Sequence, residues 1–431
     1  MNKKNINIAI IGLGTIGSYL YKYLLKKRNL LRKKTSIAPN VIFVSAKNKQ
    51  KKRGINIPKS KWLGNYLDAA SHPKVDIVVE LIGGSDGAAK KLVFAALKNK
   101  KHVVTANKAL IAKHGDKLSK IAENNKVNLE FEAAVCGGVP IVRSLKEGLI
   151  ANSIQKIYGI FNGTSNFILS SMDKQNIEYK SALQKAKQLG YAESNPISDI
   201  NGQDVASKLE ILTSLCFNSY INNKDIHLEG INNIDHIDIS NANLLGYKIK
   251  LIGISEFKDN KITQRVHPCL IKKDSYIAKI DGVLNAVIIE GKPAGQTVIQ
   301  GEGAGPEPTT SALISDISSI MRGNIKFPFV IPYKKRRSLR FEKINSKNFS
   351  SYLRLEVVDK HGVLSNITKI LAKNSVSIKR LIQSPYNSKK YSSITIITHE
   401  SKDDKLTKIV TQLSKKNFIL KKPKLIRIEN I

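Results

Sequence analysis

The sequence has few cysteines, few acidic residues and no long apolar run, and each shortage excludes a class of protein. No run of about 18 apolar residues occurs, so we expect no transmembrane helix. The first residues lead straight into a strand pattern, which is not typical of a secretory signal peptide. Three widely spaced cysteines, Cys136, Cys216 and Cys269, cannot form a disulfide framework, so we expect buried thiols in a cytoplasmic protein.

The shortage of acids leaves a strongly basic chain. Lys and Arg number 71 against 34 Asp and Glu, which gives a formal net charge of +37. Such a charge can indicate nucleic-acid binding. Here the basic residues are spread along the chain, and no zinc finger or aromatic RNA-binding motif accompanies the densest clusters at 26–28, 51–53 and 334–337. A dispersed charge is typical of a solvated surface, so we predict no nucleic-acid partner and no membrane partner.

Apolar runs alternate with helical patterns in the first third of the chain. Strands are predicted at 6–11, 41–45, 75–82 and 102–105, with intervening helices that include 88–98 and 115–124. This alternation is typical of an α/β domain with a parallel sheet and helices on both faces. We assign residues 1–137 to this domain.

The pattern then changes twice. Three long helices and short β-like segments predict an α+β domain over 138–325, whose last helix packs back toward the first domain. Residues 326–348 are basic and lack periodicity, so they are predicted to be a linker. Residues 349–431 show the order β-α-β-β-α-β, which is the ferredoxin-like arrangement.

A glycine-rich turn follows the first predicted strand. Gly12, Gly14 and Gly17 have a spacing in which the first permits a tight turn, the second lets backbone approach pyrophosphate and the third lets helix pack on strand. The helix that follows offers free N–H groups to phosphates. The sequence therefore predicts a Rossmann domain whose cofactor contacts include Gly12, Leu13, Gly14, Thr15 and Ile16.

The end of the second strand indicates which nucleotide is bound. It lacks the acidic residue that would bind the ribose 2′-hydroxyl of NAD, and Lys47 and Lys49 stand there instead. Because a lysine neutralises a 2′-phosphate, we predict that NADP is preferred, with Lys47 as a contact and NAD as the alternative cofactor. The competing interpretation is that these lysines only reflect the basic composition.

Acids and a lysine are concentrated in segment 190–208. Glu193 and Asp199 precede the helix on which Asp204 and Lys208 lie one turn apart and share a face. A lysine desolvated beside carboxylates can protonate a carbonyl oxygen during hydride transfer, and a carboxylate can bind the ammonium group of an amino acid. In isolation, the Asp204–Lys208 spacing is equally compatible with a solvated surface pair.

Several motifs together resemble homoserine dehydrogenase along nearly the whole chain. They are the glycine turn and the segments 79–84, 105–110, 131–135, 137–140, 162–164, 193–208 and 303–305. The resemblance implies reduction of L-aspartate 4-semialdehyde to L-homoserine with NAD(P)H, on the route to threonine, methionine and isoleucine. It also implies that 138–325 is the catalytic and dimerisation domain of a monofunctional enzyme with no fused aspartate kinase.

The resemblance assigns roles residue by residue. Lys208 matches the proton donor, and Lys108 matches a second active-site lysine near cofactor and substrate. The matches to substrate-binding residues are Glu193, Asp199, Asp204 and Thr164. The further matches to cofactor contacts are Thr105, Lys108, Gly190 and Gly303. Asn195 departs from the family, because many relatives carry Asp before this proline.

A monovalent cation, Na⁺ or K⁺, is also implied by the resemblance. It matches Glu132, Val135, Gly137 and Val139, largely through backbone carbonyls. From the residues alone, Glu132 is more simply explained as an acid satisfied by backbone N–H groups. Lys108 is likewise open to interpretation as a solvated lysine at the start of a helix.

The start of the C-terminal domain is similar to an ACT domain, a small amino-acid sensor. Gly362 frees the backbone where a strand turns into a helix, and N–H groups there can meet a ligand carboxylate. In the family this module commonly mediates feedback by threonine, so we expect an L-threonine site at Asp359, Gly362, Val363 and Leu364. A module kept only for oligomerisation is the alternative.

We therefore predict a three-domain α/β enzyme that acts on a small molecule and forms a homodimer or homotetramer. One rival hypothesis is a catalytically silent amino-acid sensor that keeps the nucleotide as a structural ligand, and the set of Glu193, Asp204 and Lys208 argues against it. The other is a dehydrogenase acting on a different amino-acid aldehyde.

Overall fold

The first domain is built on a parallel five-stranded sheet. The computed structural model describes residues 4–222, 224–386 and 388–431. The elements of this domain are β1 (Asn5–Ile11), α1 (Thr15–Lys26), α2 (Arg28–Thr35), β2 (Ala38–Ser45), α3 (Asp68–Ser71), β3 (Ile77–Glu80), α4 (Ala88–Lys98), β4 (His102–Thr105), α5 (Lys108–Asn124) and β5 (Leu129–Glu130). The strand order is β2-β1-β3-β4-β5, and each neighbouring pair is parallel.

Strand β1 shows why this sheet is buried on both faces. Ile8 and Ile10 pack with α1 in one apolar cluster, whereas Ala9 and Ile11 pack with α4 in another. Because successive side chains of a strand point to opposite faces, a strand covered by helices on both sides requires a continuous apolar run. The predicted α/β fold is confirmed.

The second domain is built on an antiparallel sheet backed by helices. Its elements are α6 (Ile141–Arg143), β6 (Ser153–Ile160), α7 (Gly163–Gln175), α8 (Tyr179–Gln188), α9 (Ile197–Ile200), α10 (Gln203–Phe217), β7 (Ile226–Leu228), α11 (His236–Leu244), β8 (Tyr247–Lys258), β9 (Lys261–Lys272), β10 (Leu284–Lys292), β11 (Gly295–Glu302) and α12 (Pro306–Met321). The main strand order is β11-β10-β6-β8-β9. Helix α12 returns to the first domain, where Leu313 and Ile317 join the apolar cluster of Ile10.

The connection between the second and third domains is packed rather than loose. Phe329 is fully buried beside Phe131, with ring centroids 5.3 Å apart. The guanidinium of Arg336 lies 4.2 Å from the centre of the Phe329 ring and 2.6 Å from Asp116 Oδ1 on α5. The same guanidinium donates to the carbonyl of Ser219, beyond α10. Residues 326–348 therefore contact both preceding domains.

The third domain has the predicted β-α-β-β-α-β order. The remaining elements are β12 (Arg340–Phe341), β13 (Asn348–Val358), α13 (Val363–Lys373), β14 (Ile378–Tyr386), β15 (Ser388–Thr398), β16 (Ser401–Lys402), α14 (Asp403–Leu413) and β17 (Lys424–Ile428). Its strands are ordered β17-β13-β15-β14. Strand β17 also pairs in parallel with β9, where Ile428 lies opposite Leu270, so the sheets of the second and third domains are continuous.

Two expectations about the whole chain can be compared with the structure directly. Cys136, Cys216 and Cys269 are all buried and free. Within the described residues, no helix is both long enough and apolar enough to cross a membrane.

Candidate active site

The glycine turn has the geometry that a bound pyrophosphate requires. A Cβ on Gly12 would lie 2.4 Å from the Leu81 carbonyl oxygen, and one on Gly17 would lie 2.1 Å from the Gly12 oxygen, so neither position has room for a side chain. A Cβ on Gly14 would meet nothing within 4 Å, so this glycine faces open space. Helix α1 begins at Thr15 without a side-chain cap, which leaves its first N–H groups for an anion.

A basic pocket of about 330 Å³ adjoins this turn. Its cationic lining residues are Lys22, Lys51, Lys52 and Arg53. Arg53 holds the loop in place, because its Nε donates to the Leu13 carbonyl at 2.8 Å and its guanidinium lies 5.7 Å from the centre of the Trp62 ring. Lys47, the residue nominated from the sequence, is exposed and does not line this pocket. The cluster 51–53, which the sequence analysis treated as general basic surface, lies there instead.

The carboxyl ends of β3 and β4 form a second wall. Glu80 is fully buried and accepts hydrogen bonds from the N–H groups of Ile82 and Gly83 and from Thr105 Oγ1, at 2.7, 3.0 and 2.6 Å. The Thr105 hydroxyl is therefore engaged with Glu80. Asn107 caps α5 by accepting the Leu110 N–H at 3.1 Å.

Helix α10 and helix α5 meet at a buried acid–lysine cluster. Lys208 Nζ donates to Asp204 Oδ2 at 2.7 Å and to the Phe161 carbonyl at 2.6 Å, and both side chains are buried. Lys108, the first residue of α5, places its Nζ 3.0 Å from Asp204 Oδ1. One carboxylate is thus shared by two lysines from different domains, so the spacing of Asp204 and Lys208 does not mark a solvated surface pair.

Asn162 ties a second acid to this cluster. Its Nδ2 donates to Asp199 Oδ1 at 2.7 Å and to Asp204 Oδ2 at 2.8 Å, while its Oδ1 caps α7 by accepting the Ser165 N–H at 2.8 Å. The sequence analysis quoted Asn162 within a motif but gave it no role. The signal that marks it is an asparagine immediately before a helix.

Burial and pairing together set the pKa values in the cluster. Burial opposes charge on Asp204, but the Lys208 and Lys108 ammonium groups and the Asn162 amide hold the pKa of this carboxyl well below its usual value. Burial also opposes charge on Lys208, but Asp204 raises the pKa of its ammonium group. For Asp199, burial raises the pKa, and the Asn162 amide offsets this only in part. Lys208 is therefore held protonated at neutral pH.

The loop after α8 lies at the edge of the cluster. Thr164 Oγ1 donates to the Tyr191 carbonyl at 2.6 Å and so ties this loop to the first turn of α7. Gly190, with φ +74°, ends α8 in the left-handed region. Glu193 is exposed on the same loop. Of the nominated acids, Asp199 and Asp204 come together in the structure, and Glu193 stays at the surface.

The turn that follows β11 packs against the turn at 136–139. A Cβ on Gly137 would lie 2.5 Å from the Gly303 oxygen, and one on Gly303 would lie 2.1 Å from Asn285 Nδ2. Asn285 is 1% exposed, and its side-chain amide lies beside the Cys136 thiol. Beside it, burial raises the pKa of the Cys136 thiol to about 11, with Lys208 and Asn285 opposing the shift. Sequence reasoning missed Asn285, because no motif marks it.

Glu132 uses its carboxylate within the protein. The two carboxylate oxygens accept the N–H groups of Val142 and Arg143 at 2.9 and 2.7 Å. Burial raises the pKa of this carboxyl to about 7. Each carboxylate oxygen of Glu132 is thus already engaged by one backbone N–H group. Within the described residues, no group of three or more His, Cys, Asp and Glu side chains is arranged to hold a metal ion.

The nominated effector residues lie where β13 turns into α13. Gly362 adopts φ +81° immediately before α13, and Asp359 accepts a hydrogen bond from Ser392 Oγ at 2.7 Å. Val363 is buried, whereas Leu364 is 38% exposed. The first turn of α13 has no side-chain cap, and its Val363 N–H donates to the Lys360 carbonyl at 3.3 Å.

The chain matches three family models in sequence order. Residues 12–132 match the homoserine dehydrogenase NAD binding domain, residues 140–318 match homoserine dehydrogenase, and residues 353–421 match the AHAS small subunit-like ACT domain. The homoserine dehydrogenase of Helicobacter pylori is 38% identical, over 99% of this chain and 100% of its own length.

Two solved structures extend this similarity to the fold. A homoserine dehydrogenase from Thiobacillus denitrificans superposes with a TM-score of 0.92 at 36% identity, with 99% of each chain covered. A hyperthermophilic archaeal homoserine dehydrogenase in complex with NADPH has a TM-score of 0.63 at 24% identity, over 75% of this chain and 99% of its own, and supports the fold alone.

Proposed function

The chain belongs to the homoserine dehydrogenase family, and on that premise we propose how its own residues carry out the family's reaction. The reaction reduces L-aspartate 4-semialdehyde to L-homoserine with a nicotinamide cofactor. When bound, the reduced nicotinamide supplies a hydride to the aldehyde carbon. The observation that carries the assignment of roles is the cluster where the first two domains meet, in which the buried pair of Lys208 and Asp204 is joined by the partly exposed Lys108.

Lys208 is the proton donor in this proposal. Asp204 keeps its ammonium group charged although burial opposes the charge, so a proton is available when the aldehyde oxygen gains negative charge. The alkoxide that would otherwise form is a far stronger base than a lysine amine, so the transfer is downhill. Lys108 holds a second positive charge on the other side of Asp204 and stabilises the developing charge on oxygen.

The acids and Thr164 orient the amino-acid part of the substrate. Asp199 is held by Asn162 at the edge of the lysine cluster, and a carboxylate there can bind the substrate ammonium. Glu193 lies on the loop that Thr164 ties to α7, where closure of the loop would bring a further carboxylate to the substrate. Asn195 lies on this loop and contributes no charge.

The first domain is expected to prefer NADP over NAD. The open space at Gly14 and the uncapped start of α1 fit the pyrophosphate, and Gly303 and Gly190 supply backbone without side chains on the second domain. Lys22, Lys51 and Lys52 line the adjoining pocket and can neutralise a 2′-phosphate.

Three further assignments belong to this proposal. The backbone carbonyls of Glu132, Val135, Gly137 and Val139 bind a monovalent cation, Na⁺ or K⁺, which stiffens the turn packed against Gly303. The start of α13, with Asp359 beside it, binds L-threonine as a feedback inhibitor. The chain assembles as a homodimer or homotetramer through its second domain.

The oxidation of NADPH, followed by absorbance, tests the function. We expect turnover with L-aspartate 4-semialdehyde, none with an aldehyde that lacks the α-amino group, and inhibition when L-threonine is added. A one-carbon-longer amino-acid aldehyde turned over equally well would contradict the substrate assignment. An absence of any oxidation would favour the silent sensor.

A further inference from the structure

Strand β17 carries a side chain of the third domain into the second domain. Arg427 lies on β17 opposite Cys269 of β9, and its side chain is 5% exposed. Its Nε donates to Asp403 Oδ1 at 2.6 Å in the third domain, and its Nη1 donates to Glu229 Oε1 at 2.8 Å in the second domain. One guanidinium therefore joins the two domains.

Glu229 follows β7, and both its backbone and its side chain are held by hydrogen bonds. Its N–H donates to the Val266 carbonyl on β9 at 2.8 Å, and its Oε1 lies 2.8 Å from His227 Nε2. Burial would raise the pKa of this carboxyl, but His227 and Arg427 lower it to about 2. The carboxylate thus stays charged, and its place is set by β9 on one side and Arg427 on the other.

The residues after Glu229 press against the segments that hold the proposed substrate acids. A Cβ on Gly230 would lie 2.4 Å from the Ile200 carbonyl oxygen, and the Ile231 N–H donates to that same oxygen at 2.9 Å. A Cβ on Gly202 would lie 3.4 Å from the Glu229 carbonyl oxygen. At Gly230 the two backbones meet without a side chain between them, and at Gly202 the side chains of Leu228 and Val266 also fill the contact. A displacement of one segment is therefore passed to the other.

These contacts end at the acid–lysine cluster. Ile200 ends α9, which contains Asp199, and Gly202 precedes α10, which contains Asp204. The route from Arg427 to Asp199 therefore consists of one ion pair, one three-residue turn and one backbone hydrogen bond.

We propose that Arg427 is a positioning residue for the reaction: through Glu229 it holds the turn at 229–231 against α9 and thereby places Asp199 for the amino-acid substrate. The inference rests on the proposed substrate role of Asp199. It makes affinity for the aldehyde a joint property of the second and third domains. Affinity for the nucleotide is expected to depend on it little, because the basic pocket beside the glycine turn is lined by the first domain and the start of α12.

Steady-state kinetics of the full-length chain test this inference. Glu229→Ala removes the acceptor, and Arg427→Lys keeps the charge but loses the two-sided geometry. We expect the KM for the aldehyde to rise about fivefold in Glu229→Ala and less in Arg427→Lys, with kcat and the KM for NADPH changed by less than about twofold. Glu342→Ala is the matched control, because Glu342 is a comparably exposed acid paired with Lys261 at 3.5 Å at the other end of β9, and we expect it to leave all three constants unchanged.

A parallel Asp199→Asn variant tests the substrate role of Asp199 separately from the positioning role of Arg427. An unchanged aldehyde KM in Glu229→Ala, beside a raised one in Asp199→Asn, overturns the positioning role and leaves the substrate site standing. An unchanged aldehyde KM in Asp199→Asn overturns the substrate assignment, and the positioning role with it. A Glu229→Ala variant that loses kcat and raises both KM values shows a general loss of structure and also contradicts the inference.

Discussion

Two ion clusters of this chain, each centred on a buried charge, share that charge in opposite ways. In the acid–lysine cluster, one carboxylate, Asp204, is shared by two lysines. Where α11 packs on β13, one guanidinium, Arg354, is surrounded by three carboxylates, those of Asp238, Asp235 and Glu356. In the first cluster a single carboxylate contacts two cations, whereas in the second every nitrogen of the one guanidinium contacts a carboxylate.

The difference distinguishes a cluster suited to catalysis from a cluster that holds two domains together. Two lysine charges that share one carboxylate can stabilise an oxygen that becomes negative, so the first cluster is suited to chemistry. A fully engaged guanidinium has nothing left to offer a ligand, so the second cluster is suited to holding two domains together. A buried ion pair by itself is weak support for either role, and the balance of charge is what distinguishes them.

The largest expected effect is a loss of stability when the Arg354 cluster, which holds the second and third domains together, is broken. Arg354→Met leaves Asp238 buried without its cation, so we expect a loss of about 3–5 kcal/mol in the free energy of unfolding, measured with urea. Lys421→Met is the control: its side chain is 66% exposed and pairs with the same Glu356, so we expect a loss below about 1 kcal/mol. Equal losses in the two variants would show that Arg354 acts only as another surface charge.

The next largest effect is a loss of turnover when the acid–lysine cluster is changed. Lys208→Ala removes the proton donor, and we expect kcat to fall by about 10²-fold or more while NADPH binding, followed by fluorescence, stays near normal. Lys250→Met is the matched control, because Lys250 is a buried lysine paired with Asp281 at 2.8 Å outside the acid–lysine cluster. We expect that control to lose stability but to keep its kcat. Unchanged turnover in Lys208→Ala would refute the assigned role.

The smallest effect is on the nucleotide pocket, where the charges are solvated. We expect Lys52→Ala to raise the KM for NADPH about tenfold and to leave that for NADH unchanged, because only NADPH carries a 2′-phosphate for the lysine to bind. Lys47→Ala tests the alternative nominated from the sequence, and we expect no comparable change. A raised KM for NADPH in Lys47→Ala but not in Lys52→Ala would place the 2′-phosphate at the end of β2. Equal effects on the KM values for NADPH and NADH would contradict the predicted NADP preference.

The first domain was predictable because its signals are local. The glycine turn and the continuous apolar runs of the parallel strands act over a few residues. The helical pattern predicted α5 only over 115–124, whereas the helix begins at Lys108, as the alternative interpretation of Lys108 required. The cap at Asn107 was in the sequence and would have located the start.

The antiparallel strands of the second domain were harder to recognise. Strand β8 contains Lys250, which is 2% exposed, and β9 contains Arg265 and His267, which are also buried. Their partners, Asp281 and Glu429, come from elsewhere in the chain, so no local pattern explains how these charges are accommodated. Neither β6 nor β8 was predicted. Strand β8 was missed because its buried Lys250 does not fit an apolar strand pattern.

In the active site, too, local sequence signals were predictable and contacts between distant residues were not. Asp204 and Lys208 could be paired from their spacing on one helix. Asn162, Asn285 and Lys52 could not be assigned roles, because each depends on residues brought near by the fold.

The outer edge of β9 is closed by three short strands from different parts of the chain. Strand β12 pairs at its start, β7 at its middle and β17 near its end. During synthesis on the ribosome β7 is made before β9, whereas β12 and β17 emerge later. A nascent chain that stops short of β17 presents unpaired N–H and C=O groups beside Cys269 and Leu270, which is a template for association with other chains. Premature termination is therefore expected to yield aggregates rather than an active, unregulated enzyme.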